Sequence, residues 1–116
     1  IKENTLTHGT RSWEYQRDFE LVLLAVKGTP SLAYSMLSAV SSCPIVAPSK
    51  RIHQNEKPTA VINRYIEHST FEGSIILDPF AGSGVVGAAA KALGRRYVLI
   101  ERDGAAHSNI VERLEE

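Results

Sequence analysis

The spacing of apolar residues changes several times along the chain, and each change marks an element. Phe19-Glu20-Leu21-Val22-Leu23-Leu24-Ala25-Val26 is a nearly continuous apolar run, closed by Lys27-Gly28. A run of that length bounded by a turn signal predicts a buried strand over 18–27. The pattern then dissolves. Pro30, Pro44 and Pro48 exclude one long regular element between 28 and 50, although a short helix over 31–40 fits between the first two. Helical spacing returns at 58–69, where Val61, Ile62, Tyr65 and Ile66 share a face and Pro58 stands at the first turn. Phe71-Glu72-Gly73 turns the chain into Ser74-Ile75-Ile76-Leu77, a short apolar run that reads as a strand. A second helix, 84–93, is rich in Gly and Ala, as suits close packing on a sheet. Tyr97-Val98-Leu99-Ile100 reads as another buried strand. A last amphipathic helix over 103–115 would turn Ala106, Ile110, Val111 and Leu114 inward. Residues 1–12 are polar and predict an extended or frayed lead, and no repeat or low-complexity segment is visible.

Between the strand at 74–77 and the helix at 84–93 lies Asp78-Pro79-Phe80-Ala81-Gly82-Ser83-Gly84. A strand, a tight glycine turn and a helix bring bare backbone and a helix N-terminus up to a ligand, because glycine has no Cβ and tolerates positive φ. The arrangement serves adenosine cofactors at the carboxyl ends of parallel strands. It is not a phosphate loop, since no Gly-Lys-Ser/Thr closes it. Glu101 follows the next strand, about 20 residues beyond the turn, where an acid that binds ribose hydroxyls belongs. Gly94 occupies the position of a left-handed residue after the helix, with Arg95 and Arg96 behind it. Together these features are far more specific than a glycine turn alone.

Composition narrows the picture. At 116 residues with 43% hydrophobic content, the chain supports one compact domain with a modest core. Its net charge is zero, which by itself gives no support for nucleic-acid binding. Of its basic pairs, Arg95-Arg96 reads as solvated surface at a helix C-terminus. Lys50-Arg51, in a loop, is the better candidate for a phosphate contact. The single cysteine, Cys43, cannot form a disulfide within the chain and suits a reducing cytoplasm. It reads as an inert structural thiol. No secretory or membrane-spanning run is visible. His8, His53, His68 and His107 lack metal-ligand spacing, so no metal site is expected.

Leu77-Asp78-Pro79-Phe80-Ala81-Gly82-Ser83-Gly84, with Gly94-Arg95-Arg96-Tyr97-Val98-Leu99-Ile100-Glu101 behind it, resembles the cofactor-binding half of the amino-group DNA methyltransferases. These enzymes transfer methyl from S-adenosyl-L-methionine (AdoMet) to adenine N6 or cytosine N4. His53-Gln54-Asn55-Glu56-Lys57-Pro58-Thr59 is similar to the segment they place before the glycine turn, against the methionine end of AdoMet. The resemblance implies a Rossmann-like α/β three-layer sandwich with a mainly parallel sheet, incomplete in this chain. It also implies a cofactor site made of His53, Lys57, Pro58, Asp78, Pro79, Phe80, Ala81, Gly82, Ser83, Gly84 and Glu101. Asp78 would sit near the methionine amino group, or near ribose through water. Gly82 and Gly84 would admit the ligand to the backbone, and Glu101 would take both ribose hydroxyls. Phe80 lines the pocket or is a core residue. In the Lys57-Pro58 segment, backbone atoms would do more than the side chains. DNA is the implied partner, through a full-length enzyme, with a homodimer also possible. The implied setting is the cytoplasm of a prokaryote or a phage-infected cell, in roles that include restriction–modification.

The resemblance is close over the second half and loose over the first. Arg11-Ser12-Trp13-Glu14-Tyr15-Gln16-Arg17-Asp18 and the run after it are similar to a late strand of the catalytic subdomain. Trp13 and Tyr15 would stack on a base or belong to a core or interface. That order matches the family's permuted class, with 1–50 as the end of the catalytic subdomain plus a variable loop and 51–116 as the AdoMet-binding subdomain. The family's catalytic tetrapeptide, Asp/Asn/Ser-Pro-Pro followed by an aromatic, does not occur in the chain. The catalytic residues are therefore unassigned, and a C-terminal piece of a larger enzyme, inactive alone, is expected. Other readings are an RNA methyltransferase fragment and a catalytically inactive AdoMet-binding or assembly module. Gly82, Gly84 and Gly87 also satisfy a nicotinamide fingerprint, but that reading leaves Asp78-Pro79-Phe80-Ala81 and Lys57-Pro58 without a role.

Overall fold

The computed structural model of the chain describes residues 2–3, 19–33, 38–44, 46–47, 49 and 57–115. Its elements in chain order are β1 (Lys2–Glu3), β2 (Cys43–Pro44), α1 (Thr59–Ser69), β3 (Ile75–Asp78), α2 (Val85–Ala92), β4 (Arg96–Leu99) and α3 (Gly104–Glu115). β1 and β2 form a small parallel pair. β3 and β4 form another, with Ile75 opposite Arg96 and Asp78 opposite Leu99. Parallel neighbours need a crossover connection, and α2 supplies it.

Alternation along the strands separates two faces. Ile76, Asp78, Tyr97 and Leu99 are half-buried, whereas Ile75, Leu77, Arg96 and Val98 are exposed. The half-buried face meets α2. Ala89 and Ala90, 1% and 0% exposed, form the core with Ile66 of α1. Ile62, Ile76, Leu93 and Tyr97 pack against them. Small residues allow the helix to lie this close. A Cβ on Gly87 would stand 2.4 Å from Leu99 Cδ1. The opposite sheet face, bearing Ile75, Leu77, Val98 and Ile100, has no covering layer among the described residues. The described part is a Rossmann-like α/β unit with helices against one face.

The elements end where the chain chemistry ends them. After α2, Gly94 adopts φ +72°. Its N–H donates to Lys91 O at 3.2 Å, and the Arg95 N–H donates to Ala90 O at 2.8 Å. These two bonds satisfy carbonyls that the last helical turn leaves open. At the head of α3, Asp103 Oδ1 accepts the Ala106 N–H at 2.8 Å, a side-chain N-cap.

Several sequence-based expectations are corrected. Residues 19–27 form no strand. Leu21 and Leu23 are 90% and 92% exposed. An apolar run becomes a strand only where a neighbour takes its amides and carbonyls, and the described ladders belong to other pairs. Of the helix expected over 31–40, residues 31–33 and 38–40 are irregular, and 34–37 lie outside the described residues. Here polar groups bond elsewhere. Ala33 N–H donates to His68 O at 3.0 Å, and Ser38 Oγ accepts the Val40 N–H at 3.2 Å, a local bond that competes with helix. Val111 is 41% exposed, not inward. Arg95 is no solvated surface residue. Partly buried, it donates from Nε to Thr70 Oγ1 at 3.2 Å, from Nη2 to Thr70 O at 2.8 Å, and from Nη1 to Leu93 O. It thereby clasps the end of α1 to the end of α2. Arg96 Nε donates to Gly73 O at 3.0 Å.

Two stability predictions result. Arg95→Met keeps the aliphatic stem and removes the donors; it is expected to cost about 1.5–3 kcal/mol in urea unfolding, since bonds to charged groups are of that size. A loss below about 0.5 kcal/mol, the level of ordinary surface substitutions, would show that the clasp is idle. Gly87→Val would overpack the helix against Leu99 and is expected to cost about 1–3 kcal/mol. An unchanged unfolding midpoint would mean that α2 does not depend on this close approach.

Candidate cofactor site

The glycine turn is built onto the residues that follow β4. Its consecutive amides reach consecutive residues there. Ala81 N–H donates to Ile100 O at 2.9 Å, and Gly82 N–H donates to Glu101 Oε2 at 2.8 Å. Ile100 N–H donates in turn to Asp78 O at 2.9 Å, extending the ladder past the last strand residues. The other Glu101 oxygen, Oε1, accepts the Asp103 N–H at 2.9 Å. One carboxylate thus spans the turn and the lead into α3. Bonds to an ionised acceptor are of the stronger class.

The turn itself divides into an outer lip and an inner wall. Asp78, half-buried at the end of β3, accepts the Phe80 N–H on Oδ1 at 3.1 Å, a bond typical of Asp-initiated turns. Pro79 is exposed, and Phe80 is 88% exposed. That exposure removes the core reading of Phe80. Ala81 and Ser83 are each 4% exposed, and Gly84 is buried. Gly82 and Gly84 adopt φ +52° and +73°, the left-handed region that glycine enters without penalty. Gly84 N–H donates to Ala81 O at 2.8 Å, and Gly84 O accepts the first helical bond, from Ala88, at 3.0 Å. α2 therefore begins directly at the turn, with the amides of its first residues ahead of any helical carbonyl.

Hydrogen bonds bring together Asp78, Phe80, Ala81, Gly82, Gly84 and Glu101 among the residues expected at the site. Lys57 and Pro58 are anchored separately. Pro58 caps the head of α1, and the exposed Lys57 donates from Nζ to Glu20 Oε2 at 2.7 Å. His53 lies outside the described residues, as do Lys50, Arg51, Trp13 and Tyr15. Two participants were not foreseen from the sequence. Asp103 supplies the second amide to Glu101, and Arg113 Nη1 donates to Ser83 O at 2.9 Å. For Arg113 a signal was present: it lies three residues after Ile110, on the same face of an amphipathic helix.

Chemically, two carboxylates stand at the carboxyl ends of adjacent parallel strands, beside bare backbone and an exposed aromatic. This set accepts hydrogen bonds from hydroxyls and ammonium groups. Its turn residues carry no cationic side chain for a pyrophosphate. Among the described residues no group of three or more His, Cys, Asp or Glu is placed to hold a metal. No helix there is long and apolar enough to cross a membrane.

Known proteins share this unit. Over 54 residues the chain is 44% identical to the type II methyltransferase M.HinfI of Haemophilus influenzae, covering 47% of this chain and 15% of that protein. Over 51 residues it is 49% identical to the type II methyltransferase M2.DpnII of Streptococcus pneumoniae, covering 44% of this chain and 19% of that one. The matched stretch is therefore under a fifth of either relative's length. Among solved structures, an M1.HpyAVI–SAM complex superposes with a TM-score of 0.60 at 26% identity, covering 74% of this chain and 45% of that one. Another M1.HpyAVI structure gives 0.52 at 28% identity, covering 66% and 34%. A DNA methylase family model, N6_N4_Mtase, matches residues 2–112. That match takes in nearly the whole sequence, glycine turn and Glu101 included, and the chain belongs to the N6/N4 DNA methylase family.

Proposed function

We propose that this chain is the cofactor-binding portion of a DNA methyltransferase acting on adenine N6 or cytosine N4, with AdoMet as methyl donor. The observation that carries the reading is the Glu101 carboxylate bonded to the Gly82 amide beside Asp78, at the ends of two adjacent parallel strands. The donor and acceptor chemistry fits the ligand. AdoMet offers a ribose diol and an ammonium group and no phosphate, and the site offers two carboxylates and an open backbone. A dinucleotide would bring its pyrophosphate against Asp78. Glu101 would hold the ribose hydroxyls, Asp78 the methionine amino group, and the exposed ring of Phe80 would shield the ligand from water. When bound, AdoMet supplies a methyl group already activated by its sulfonium. The residues of this chain orient that cofactor and desolvate it, which is where binding energy assists a transfer that needs no further activation of the methyl.

The reading divides the chain near residue 50. Residues 51–116 form the AdoMet-binding subdomain, in which Lys57 and Pro58, together with His53, approach the methionine end. Residues 1–50 are the end of the catalytic subdomain and a variable loop. Support comes from the packing: the core residues lie between Ile66 and Ile110, whereas 19–30 are exposed. Bacterial relatives support a cytoplasmic setting in a prokaryote or phage-infected cell. A catalytically inactive AdoMet-binding module is the second reading, favoured by the lack of the Pro-Pro-aromatic tetrapeptide in the sequence.

Calorimetric titration separates these possibilities. AdoMet is expected to bind the folded chain and NAD is not. Glu101→Ala and Glu101→Gln are expected to weaken AdoMet binding at least about tenfold, the equivalent of 1.4 kcal/mol. A demonstrably folded chain that takes up no AdoMet would sink the reading. In a radiolabelled methyl-transfer assay on unmethylated DNA, the 116-residue chain alone is expected to show no turnover. Activity should appear when a polypeptide carrying the catalytic tetrapeptide is supplied. Turnover by the chain alone would place the catalytic groups within it and overturn the division of labour.

A further inference from the structure

α3 lies outside the motif that marks the cofactor turn, yet it makes two contacts with the turn's least adjustable part. The Ser83–Gly84 peptide unit is held at both ends. Its N–H, on Gly84, donates to Ala81 O at 2.8 Å. Its carbonyl, on Ser83, accepts from Arg113 Nη1 at 2.9 Å. A buried carbonyl without a donor is costly, and Ser83 is 4% exposed, so water is a poor substitute for the guanidinium. The second contact is steric. A Cβ built on Gly84 would meet Ile110 Cγ1 at 3.1 Å and Cγ2 at 3.2 Å. Ile110 is itself 4% exposed. It fills the space that a side chain at 84 would need and presses on the backbone there.

We propose that Arg113 is a positioning residue for the cofactor turn, fixing the orientation of the Ser83–Gly84 peptide while Ile110 packs against its glycine. Rotation of that peptide would redirect the amides at the head of α2, because Gly84 O accepts the first helical bond. It would also loosen Gly82, whose amide is bound to Glu101. Arg113 thus acts through the turn and touches no reacting atom. Lys91 supports the same placement of α3, since its Nζ donates to Leu114 O at 2.6 Å. The consequence for AdoMet rests on the function proposed above, but the consequence for the turn does not.

The test compares Arg113→Met, Arg113→Lys and the exposed-site control Glu112→Ala with the wild-type chain. The first measurement is backbone amide hydrogen exchange without ligand. Arg113→Met is expected to speed exchange at Gly82 and Gly84 at least about tenfold, the size expected for losing a bond worth at least 1.4 kcal/mol. The amide of Thr70 at the end of α1 should stay within twofold. Arg113→Lys should restore part of the protection, and Glu112→Ala should change nothing. The second measurement is AdoMet titration, where Arg113→Met is expected to bind roughly tenfold more weakly. Equal acceleration at Thr70 and at the turn would mean general destabilisation and would overturn the inference. So would unchanged exchange at Gly82 and Gly84. If Arg113→Met does not fold, Arg113→Lys decides: exchange at Gly82 and Gly84 faster than wild type, with Thr70 unchanged, supports the inference, and exchange as slow as in Glu112→Ala at those amides overturns a specific guanidinium role. Should wild type fail to bind AdoMet while the turn still responds to Arg113, the positioning role stands and the proposed function falls.

Discussion

The separation between α2 and the β3–β4 pair is the constraint from which the rest follows. It is short because Gly87, Ala89 and Ala90 present almost nothing to the sheet. A Cβ at Gly87 would intrude on Leu99. With the helix this close, its first residue emerges beside the ends of both strands, and a turn of a few residues is enough to join β3 to α2. Ala81 and Gly82 can then reach Ile100 and Glu101 with consecutive amides. Move the helix outward by the width of a side chain, and those bonds would need a longer loop with different backbone signs. Small residues bury little area each, so their contribution lies in dispersion contacts made possible by close approach. The same argument explains the clasp at the other end, where Arg95 ties the terminus of α2 to the terminus of α1.

Within the turn, protein partners satisfy the backbone while the Phe80 ring is left exposed. Its buried carbonyl at Ser83 and its buried amide at Gly84 are committed to protein partners. So are the amides of Phe80 and Ala81. The ring of Phe80 is exposed, and Asp78 and Glu101 are half-buried. A turn whose backbone is internally pinned loses little freedom when a ligand arrives, and binding is then charged less for ordering it. Glu101 has two duties under this arrangement. It organises the turn, and under the proposed function it also accepts from the cofactor, so its replacement is expected to act on both shape and affinity.

Much of this was legible in the sequence. α1, β3, α2, β4 and α3 fall within a residue or two of the spans expected from periodicity, because each carries its own signal: a helical apolar face, a glycine after the helix, an aspartate before it. The contact between the glycine turn and Glu101 was legible for a related reason. Glycines in a turn and a glutamate at a fixed distance are local in sequence even though they meet in space. What failed was whatever depends on a partner. The run at 19–27 has strand composition, but strandedness is a property of a pair, and composition cannot supply the second member. Arg95 and Arg113 look like surface cations, because nothing in a sequence shows which carbonyls a guanidinium can reach. Their half-burial comes from packing of elements far apart along the chain, and Arg113 reaches a residue 30 positions away.

The sheet face that has no covering layer among the described residues ties stability to function under the proposed reading. Ile75, Leu77, Val98 and Ile100 are 59%, 62%, 49% and 54% exposed, and all project from the strands whose ends carry Asp78 and Glu101. Fully burying a side chain of this kind stabilises by about 1.5–3 kcal/mol. Four half-exposed ones therefore hold several kcal/mol in reserve, a substantial share of the roughly 5–15 kcal/mol by which domains are stable. A second apolar layer over that face, as a three-layer α/β sandwich has, would release that reserve into β3 and β4. Because both carboxylates sit at the ends of those strands, the layer would stiffen the cofactor site without touching it. Binding of such a layer and binding of the cofactor would then favour the same strand geometry, and each would strengthen the other by linkage. In that arrangement the surface that completes the core also tightens the grip on the methyl donor.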